Sequence, residues 1–103
     1  GVALAAAERR ILVVVDGVIA GAATLLAREI DSQVTDYLLG SHASTEPAHA
    51  IQLAALGLTP CFDYEMGLGE GTGAALAISM YRSACRAHTE MTTLDELGVS
   101  PNE

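Results

Sequence analysis

One run of apolar residues, Ile-Leu-Val-Val-Val at positions 11–15, constrains the fold of this chain more than any other feature. The run is mostly β-branched and offers no polar side chain to a solvent-facing side, which is typical of a strand covered on both faces. It ends at Asp16 and Gly17, a pair that favours a tight turn. The sequence therefore predicts a buried strand of a parallel sheet.

A helix follows this strand, and the same order of elements is then repeated. Small and apolar residues are interleaved over positions 18–30, as suits a helix packed against a sheet. A second strand is predicted at 37–40, followed by a polar loop at 41–46. Pro47 then opens a second helix, which runs to Gly57. The chain thus contains two successive strand, loop and helix units.

The last third of the chain continues the alternation. Cys61 and Phe62 form a short apolar piece, and a long helix is predicted from about 72 to 88. Thr93 and Glu96 have the spacing of a capping box, which predicts a short terminal helix. The predicted fold class is therefore α/β, part of a Rossmann-like parallel sheet with flanking helices, closing with C-terminal helices.

The acidic composition argues against two classes of binding partner, nucleic acids and anionic membranes. The 103 residues suffice for one domain and carry a formal net charge of -8, and all five basic residues are arginines. A chain this acidic lacks the basic face that nucleic acid or an anionic membrane surface requires. We therefore expect neither as a partner.

The sequence also bears on the cellular compartment of the protein and on where the chain begins relative to its domain. The two cysteines, Cys61 and Cys85, have neither metal-ligand spacing nor the density of a disulfide scaffold, so we expect a reduced, cytoplasmic setting. No apolar run approaches the ~20 residues of a membrane helix, and positions 1–10 carry their charges after the apolar part, unlike a signal peptide. Positions 1–10 are instead typical of the end of an alanine-rich helix, so we expect the chain to start within a domain.

Three predicted loops, at 16–17, 41–46 and 65–73, each follow a strand and lead into a helix. In open parallel sheets, ligands bind in the crevice at the carboxyl ends of the strands. Polar side chains from these loops converge there if the strands are neighbours. The candidate residues are Asp16, Ser41, His42, Ser44, Glu46, His49 and Glu70.

Each candidate also has a structural interpretation. Asp16 can cap the helix that follows it, and Ser44 or Thr45 can cap the helix that begins at Pro47. Glu70 lies among three glycines, which let a ligand approach the backbone closely. A solvated loop acid is nevertheless the commoner role for a glutamate.

Three kinds of site are weakly supported. His42 and His49, with Glu46 as the only nearby acid, match no familiar zinc spacing. A nucleophile and base formed by Ser41 and His42 is disfavoured, because adjacent side chains in an extended segment point to opposite sides. Residues 71–73 can offer helix N-terminal donors to a phosphate, but no Walker sequence is present.

The motifs of this chain resemble those of the nicotinate-nucleotide:dimethylbenzimidazole phosphoribosyltransferase family. The resemblance is carried by VDGVIA at 15–20, DYLLGSHASTEPAH at 36–49 and LGEGTGAALA at 68–77. These motifs occur in the family's order and with similar separations. The similarity continues through positions 90–93 and implies that residues 1–103 are the C-terminal portion of a single α/β phosphoribosyltransferase domain.

The resemblance implies a reaction between two small molecules. A benzimidazole nitrogen attacks the anomeric carbon of nicotinate mononucleotide, displaces nicotinate and inverts the sugar to the α configuration. Glu70 corresponds to the family's catalytic base, which takes the ring N–H proton of the azole. We expect no cofactor and no metal ion. The resemblance implies a homodimer, in the cytoplasmic setting that the cysteines indicate.

Further residues receive roles only through this resemblance. Ser44 is expected to hold the phosphoribosyl end of the substrate, with Asp16 and Ser41 close to it. Leu68 is expected to lie against the aromatic face of the azole. The substrate-binding set is therefore Ser44, Leu68, Asp16, Ser41, Gly69 and Gly71.

The chain also departs from the family's pattern. Family members are longer and carry upstream a glycine-rich acidic motif, a phosphate-contacting lysine and residues that hold the benzimidazole. We therefore expect this chain to carry the catalytic base but not the whole site, and to be inactive alone. The alternative is a non-catalytic, truncated α/β module that self-associates through its alanine-rich helices.

Overall fold

The computed structural model describes residues 1–67 and 70–99. Helices and short parallel strands alternate along the chain, which confirms the predicted α/β fold class. The elements are α1 (Val2–Glu8), β1 (Val13–Val15), α2 (Val18–Ile30), a 3₁₀ helix (Ser32–Tyr37), β2 (Leu38–Gly40), β3 (His42–Ser44), α3 (Pro47–Leu56), β4 (Phe62–Met66) and α4 (Thr72–Glu90).

The strands form two parallel pairs, and a single residue, Ser41, connects a strand of one pair to a strand of the other. β1 pairs with β2, and β3 pairs with β4. Ser41 lies between β2 and β3, where its N–H donates to the Val15 carbonyl at 3.2 Å and its carbonyl accepts from the Cys61 N–H at 2.6 Å. The chain thus passes from one partner strand to the other at a single residue.

Two predicted elements differ from the structure at this point. Residues 42–44, predicted as loop, form β3, because β4 supplies a parallel partner that the local sequence does not reveal. Tyr37, predicted as the first residue of a strand, ends the 3₁₀ helix instead. A His-Ala-Ser segment has little intrinsic strand preference, so its pairing depends on the tertiary structure.

The core lies between the first strands and the helices that cover them. Val15, Leu38 and Leu56 form its buried cluster. Helix α2 packs on α3 through Gly21, at which a Cβ would overlap the side chain of Gln52. The Gln52 side-chain amide in turn donates to the Val18 carbonyl at 3.0 Å. This packing positions the first turn of α2 beside the carboxyl end of β1.

Helix α4 crosses the carboxyl-terminal side of the strands. Tyr81 donates its hydroxyl proton to the Gly40 carbonyl at 2.7 Å, which ties the middle of α4 to β2. Near the start of α4, Gly73 is buried against His42, and a Cβ at Gly73 would lie 2.7 Å from the imidazole Cγ. Close packing there therefore requires a residue without a side chain.

The two ends of the described chain agree only in part with the predictions. The alanine-rich opening is helical over Val2–Glu8. The capping box is confirmed, since the Thr93 N–H donates to Glu96 Oε2 at 2.9 Å and the Glu96 N–H donates to Thr93 Oγ1 at 3.2 Å. The predicted terminal helix is wrong: residues 94–98 form turns, and Gly98 at φ 75° reverses the backbone.

Among residues 1–67 and 70–99, no helix combines the length and the apolar character needed to cross a membrane.

Replacing Gly73 with alanine is expected to lower the free energy of unfolding, as measured by urea denaturation. Overpacking costs about 1–3 kcal/mol and helix propensity returns about 1 kcal/mol, so the net loss is up to about 2 kcal/mol. His42 is only 1% exposed and cannot retreat into solvent. Gly17→Ala is the control, because no atom lies within 4 Å of the added Cβ. Equal losses from the two variants would contradict the packing argument.

Candidate functional site

A cavity of about 460 Å³ lies at the carboxyl ends of β1 and β3. Its apolar wall comes from the first turns of α2. Its polar wall contains four of the sequence-predicted residues, namely Asp16, His42, Ser44 and Glu46. The structure therefore brings together residues of the first two predicted loops, as expected for the strand ends of a parallel sheet.

Asp16 has a different structural role from the one that its local sequence indicates. The helix that follows it, α2, has Gly17 as its N-cap residue and no side-chain cap. The Asp16 carboxylate instead accepts from the Gly71 N–H at 3.1 Å and from the Ala74 N–H at 3.0 Å. Asp16 therefore caps α4, more than 50 residues further along the chain, where the positive end of the helix dipole also favours its charge.

Ser41 is fully buried and holds the backbone of Asp16 through a hydrogen bond. Its hydroxyl donates to the Asp16 carbonyl at 2.9 Å, and its Oγ lies 3.0 Å from His42 Nδ1. Because the single hydroxyl proton is used on the carbonyl, we assign the proton between the two side chains to His42 Nδ1. Ser41 is therefore not arranged as a nucleophile activated by His42.

The expected divergence of Ser41 and His42 is wrong in this structure. Strict alternation of side chains holds within a paired strand. Ser41 lies in the gap between β2 and β3, where the chain changes partners, so its side chain meets that of the next residue.

His49 completes the structural support of the β3 to α3 turn. Its Nδ1 accepts from the Ser44 N–H at 3.1 Å, so its Nε2 carries the proton and is buried without a hydrogen-bond partner among the described residues. Burial lowers the pKa of His49, and the neighbouring His42 lowers it further, while the Asp16 carboxylate and carbonyl offset part of the shift. His49 is thus held as a neutral structural imidazole.

A metal centre receives no support from the described residues. His42 and His49 are near neighbours, with ring centroids 5.5 Å apart. No group of three or more histidine, cysteine, aspartate or glutamate side chains that could hold a metal ion occurs in residues 1–67 and 70–99.

Ser44 and the first turn of α2 offer polar groups to the cavity. Ser44 Oγ accepts from the Glu46 N–H at 3.2 Å, and its hydroxyl proton has no acceptor among residues 1–67 and 70–99. This contact replaces the predicted cap of α3, whose N-cap residue Glu46 has no side-chain cap bond. The uncapped N-terminus of α2 borders the same space and is a favourable place for an anion.

Glu70 lies next to Gly71, whose N–H donates to the Asp16 carboxylate. It is exposed, and it immediately precedes Gly71, the N-cap of α4, whose φ of 80° favours glycine. Two other predicted substrate-binding residues, Leu68 and Gly69, lie outside the described residues. The packing of Gly73 on His42 was missed, although the glycine-rich sequence at 69–73 is a signal for close backbone approach.

Comparisons with known proteins identify the family of this chain. A model of the phosphoribosyltransferase family matches residues 1–99. Nicotinate-nucleotide–dimethylbenzimidazole phosphoribosyltransferases from Desulforudis audaxviator and Chloroflexus aurantiacus are each 49% identical over 100 residues, which is 97% of this chain and 28% of each relative. The chain thus spans less than a third of these relatives.

A solved structure is also similar. The crystal structure of nicotinate-nucleotide-dimethylbenzimidazole phosphoribosyltransferase from Thermus thermophilus superposes with a TM-score of 0.91 at 43% identity. The match covers 97% of this chain and 30% of that one.

Acidification is expected to destabilise the fold through His49. The unfolded chain takes up a proton near the ordinary histidine pKa of about 6.5, whereas the folded chain does so only at lower pH, because the His49 pKa is lowered. The unfolded state therefore binds more protons between the two pKa values, and stability falls as pH drops through that window.

Urea unfolding at about pH 7.5 and about pH 5.5 measures this effect. His49→Gln should reduce the difference between the two pH values. The exposed His88 provides the matched control, His88→Gln, which should leave the difference as in the parent chain. An unchanged difference in His49→Gln would contradict the assignment.

Proposed function

The chain belongs to the phosphoribosyltransferase family, and we propose that it carries the catalytic base and part of the phosphoribosyl pocket of an enzyme that acts on nicotinate mononucleotide. The acceptor is 5,6-dimethylbenzimidazole, and the products are nicotinate and α-ribazole 5'-phosphate. The observation that carries the proposal is the Asp16 carboxylate, which lines the cavity and binds the peptide N–H next to Glu70.

The proposed chemistry needs one base and no acid. One azole nitrogen forms the new bond to the anomeric carbon as the bond to the nicotinate nitrogen breaks. The pyridinium nitrogen keeps that electron pair and becomes neutral, so nicotinate leaves without taking up a proton. The other azole nitrogen must lose its proton, and the Glu70 carboxylate is accessible to accept it.

The phosphoribosyl end fits the polar side of the cavity. Its volume of about 460 Å³ lies within the range of small-molecule sites, about 300–1,000 Å³. The Ser44 hydroxyl and the N-terminus of α2 are donors of the kind that bind a phosphate or a ribose oxygen. These features support the proposed role of Ser44.

The rest of the site is proposed to come from other parts of the full-length enzyme, since the chain spans 28% of the relatives that it matches. We also propose a cytoplasmic homodimer, and the C-terminal position of this segment stays a prediction. Helix α2 does expose apolar side chains, including Ile19 and Ile30. A purely self-associating module is nevertheless not favoured, because the family match extends over residues 1–99.

The test uses a hybrid enzyme, defined as the full-length Desulforudis audaxviator relative with its matching segment replaced by this chain. Glu70→Gln in the hybrid enzyme is expected to lower kcat by about 10²–10⁴, the usual contribution of a general base, with the KM for dimethylbenzimidazole little changed. Chromatography of α-ribazole 5'-phosphate is the readout. Glu90→Gln, at the far end of α4, is the matched control. Normal turnover in Glu70→Gln would remove Glu70 as the base.

Ser44→Ala in the hybrid enzyme tests the phosphoribosyl pocket. Loss of one hydrogen bond to a charged group, worth about 1.5 kcal/mol, should raise the KM for nicotinate mononucleotide roughly tenfold. The KM for dimethylbenzimidazole should not change. Ser83→Ala, which removes an exposed hydroxyl on α4, serves as the control. If the KM for nicotinate mononucleotide is the same in both variants, Ser44 does not contact that substrate.

A further inference from the structure

We infer that Asp16 is a positioning residue for the reaction proposed above: it caps α4 from another element and thereby fixes the peptide group that Glu70 shares with Gly71. The inference rests on the proposed function, because the role of Asp16 is defined through Glu70. It differs from the substrate-binding role that the family resemblance implies for Asp16.

The two hydrogen bonds of Asp16 replace a complete capping box. In an ordinary box, the N-cap side chain accepts from the N–H of the third helical residue, and the side chain of that third residue accepts from the N-cap N–H. In α4 these two donors belong to Gly71 and Ala74, neither of which has a polar side chain. The Asp16 carboxylate accepts from both, through Oδ2 and Oδ1 respectively.

Asp16 is itself rigidly held. Its side chain is 16% exposed, and Oδ1 lies 3.9 Å from His42 Nδ1. Its carbonyl accepts the proton of the buried Ser41 hydroxyl. Contacts with Ser41 and His42, neither of which belongs to α4, therefore fix the Asp16 carboxylate at the end of β1. The start of α4 is positioned by its bonds to this carboxylate.

Glu70 depends directly on this anchor. The N–H that Asp16 Oδ2 binds belongs to the peptide group joining Glu70 to Gly71. Fixing that peptide group restricts the position of the Glu70 Cα atom, from which the side chain extends. Displacing a catalytic group by about 1 Å can cost about 10²-fold in rate, so loss of the anchor is expected to act on turnover.

A direct contact between Asp16 and the phosphate is disfavoured by charge. Both carboxylate oxygens already accept backbone N–H groups, and a second anion beside them is repelled. A positioning role therefore predicts an effect on kcat, whereas a binding role predicts an effect on the KM for nicotinate mononucleotide.

The experiment is a double-mutant cycle in the hybrid enzyme. Asp16→Ala is expected to lower kcat about 100-fold, with the KM for nicotinate mononucleotide changed by less than about twofold. Asp16→Asn keeps one acceptor oxygen and should lie between Asp16→Ala and the parent. In the Glu70→Gln background, Asp16→Ala should cause no further loss, because residues acting through one group are not additive.

Asp31→Asn is the matched control. Asp31 also caps through its side chain, accepting from the Gln33 N–H at 3.0 Å at the start of the 3₁₀ helix, and it does not line the cavity. Its replacement should leave kcat as in the parent.

Hydrogen exchange supplies a readout independent of turnover. In Asp16→Asn, peptides covering residues 71–74 should exchange faster, while peptides of α2 and α3 should be unchanged. Unchanged exchange at 71–74 would overturn the inference, and it remains measurable if Asp16→Ala fails to fold.

The outcomes separate the two proposals. Normal kcat in Asp16→Ala together with a collapsed kcat in Glu70→Gln would overturn the positioning role and leave the proposed function intact. An equal loss from Asp16→Ala in both backgrounds would show that Asp16 acts independently of Glu70, which also overturns the inference. Normal turnover in Glu70→Gln would overturn both.

Discussion

The fold depends on one carboxylate that joins the end of the first strand to the start of the last helix. Helix α4 has 19 residues and a glycine, Gly71, as its N-cap residue, so no N-cap side chain reaches the N–H groups of its first turn. Unpaired donors at a helix end are costly when they are withdrawn from water. Asp16 supplies the acceptors and a negative charge at the positive end of the helix. The placement of α4 therefore follows from where β1 ends.

Ser41 has a comparable effect inside the sheet. Its backbone bonds both to β1 and to the residue that precedes β4, while its hydroxyl holds the Asp16 carbonyl. His42 then packs against Gly73, so that the sheet and α4 meet without a gap. Most polar groups at the strand ends are thus committed to structure. Within the part of the chain that the structure describes, the Ser44 hydroxyl proton, the first turn of α2 and the exposed Glu70 are not committed in this way.

Local signals predicted the helices well, whereas the strand predicted at 11–15 is shorter: only Val13–Val15 form it, and Ile11 and Leu12 are exposed. The helix expected at 18–30 has those bounds, and the helix opened by Pro47 ends one residue before the glycine that was expected to end it. Residues 42–44 were misjudged because their strand exists only through its pairing with β4. The Thr93 capping box formed, yet a cap alone does not offset the entropy of ordering a helix, and turns follow it.

The sequence by itself determined the alternation of strands and helices, the loops that carry polar residues, and the ordered motifs that point to a phosphoribosyltransferase. Only the tertiary structure decided what those polar residues bind. Asp16 was equally suited to cap the helix next to it, and it caps a helix 55 residues away instead. Carboxylates accept from any N–H group within reach, so local chemistry cannot select the donor. The packing of α4 on the sheet makes that selection, because it brings the Gly71 and Ala74 N–H groups to the end of β1.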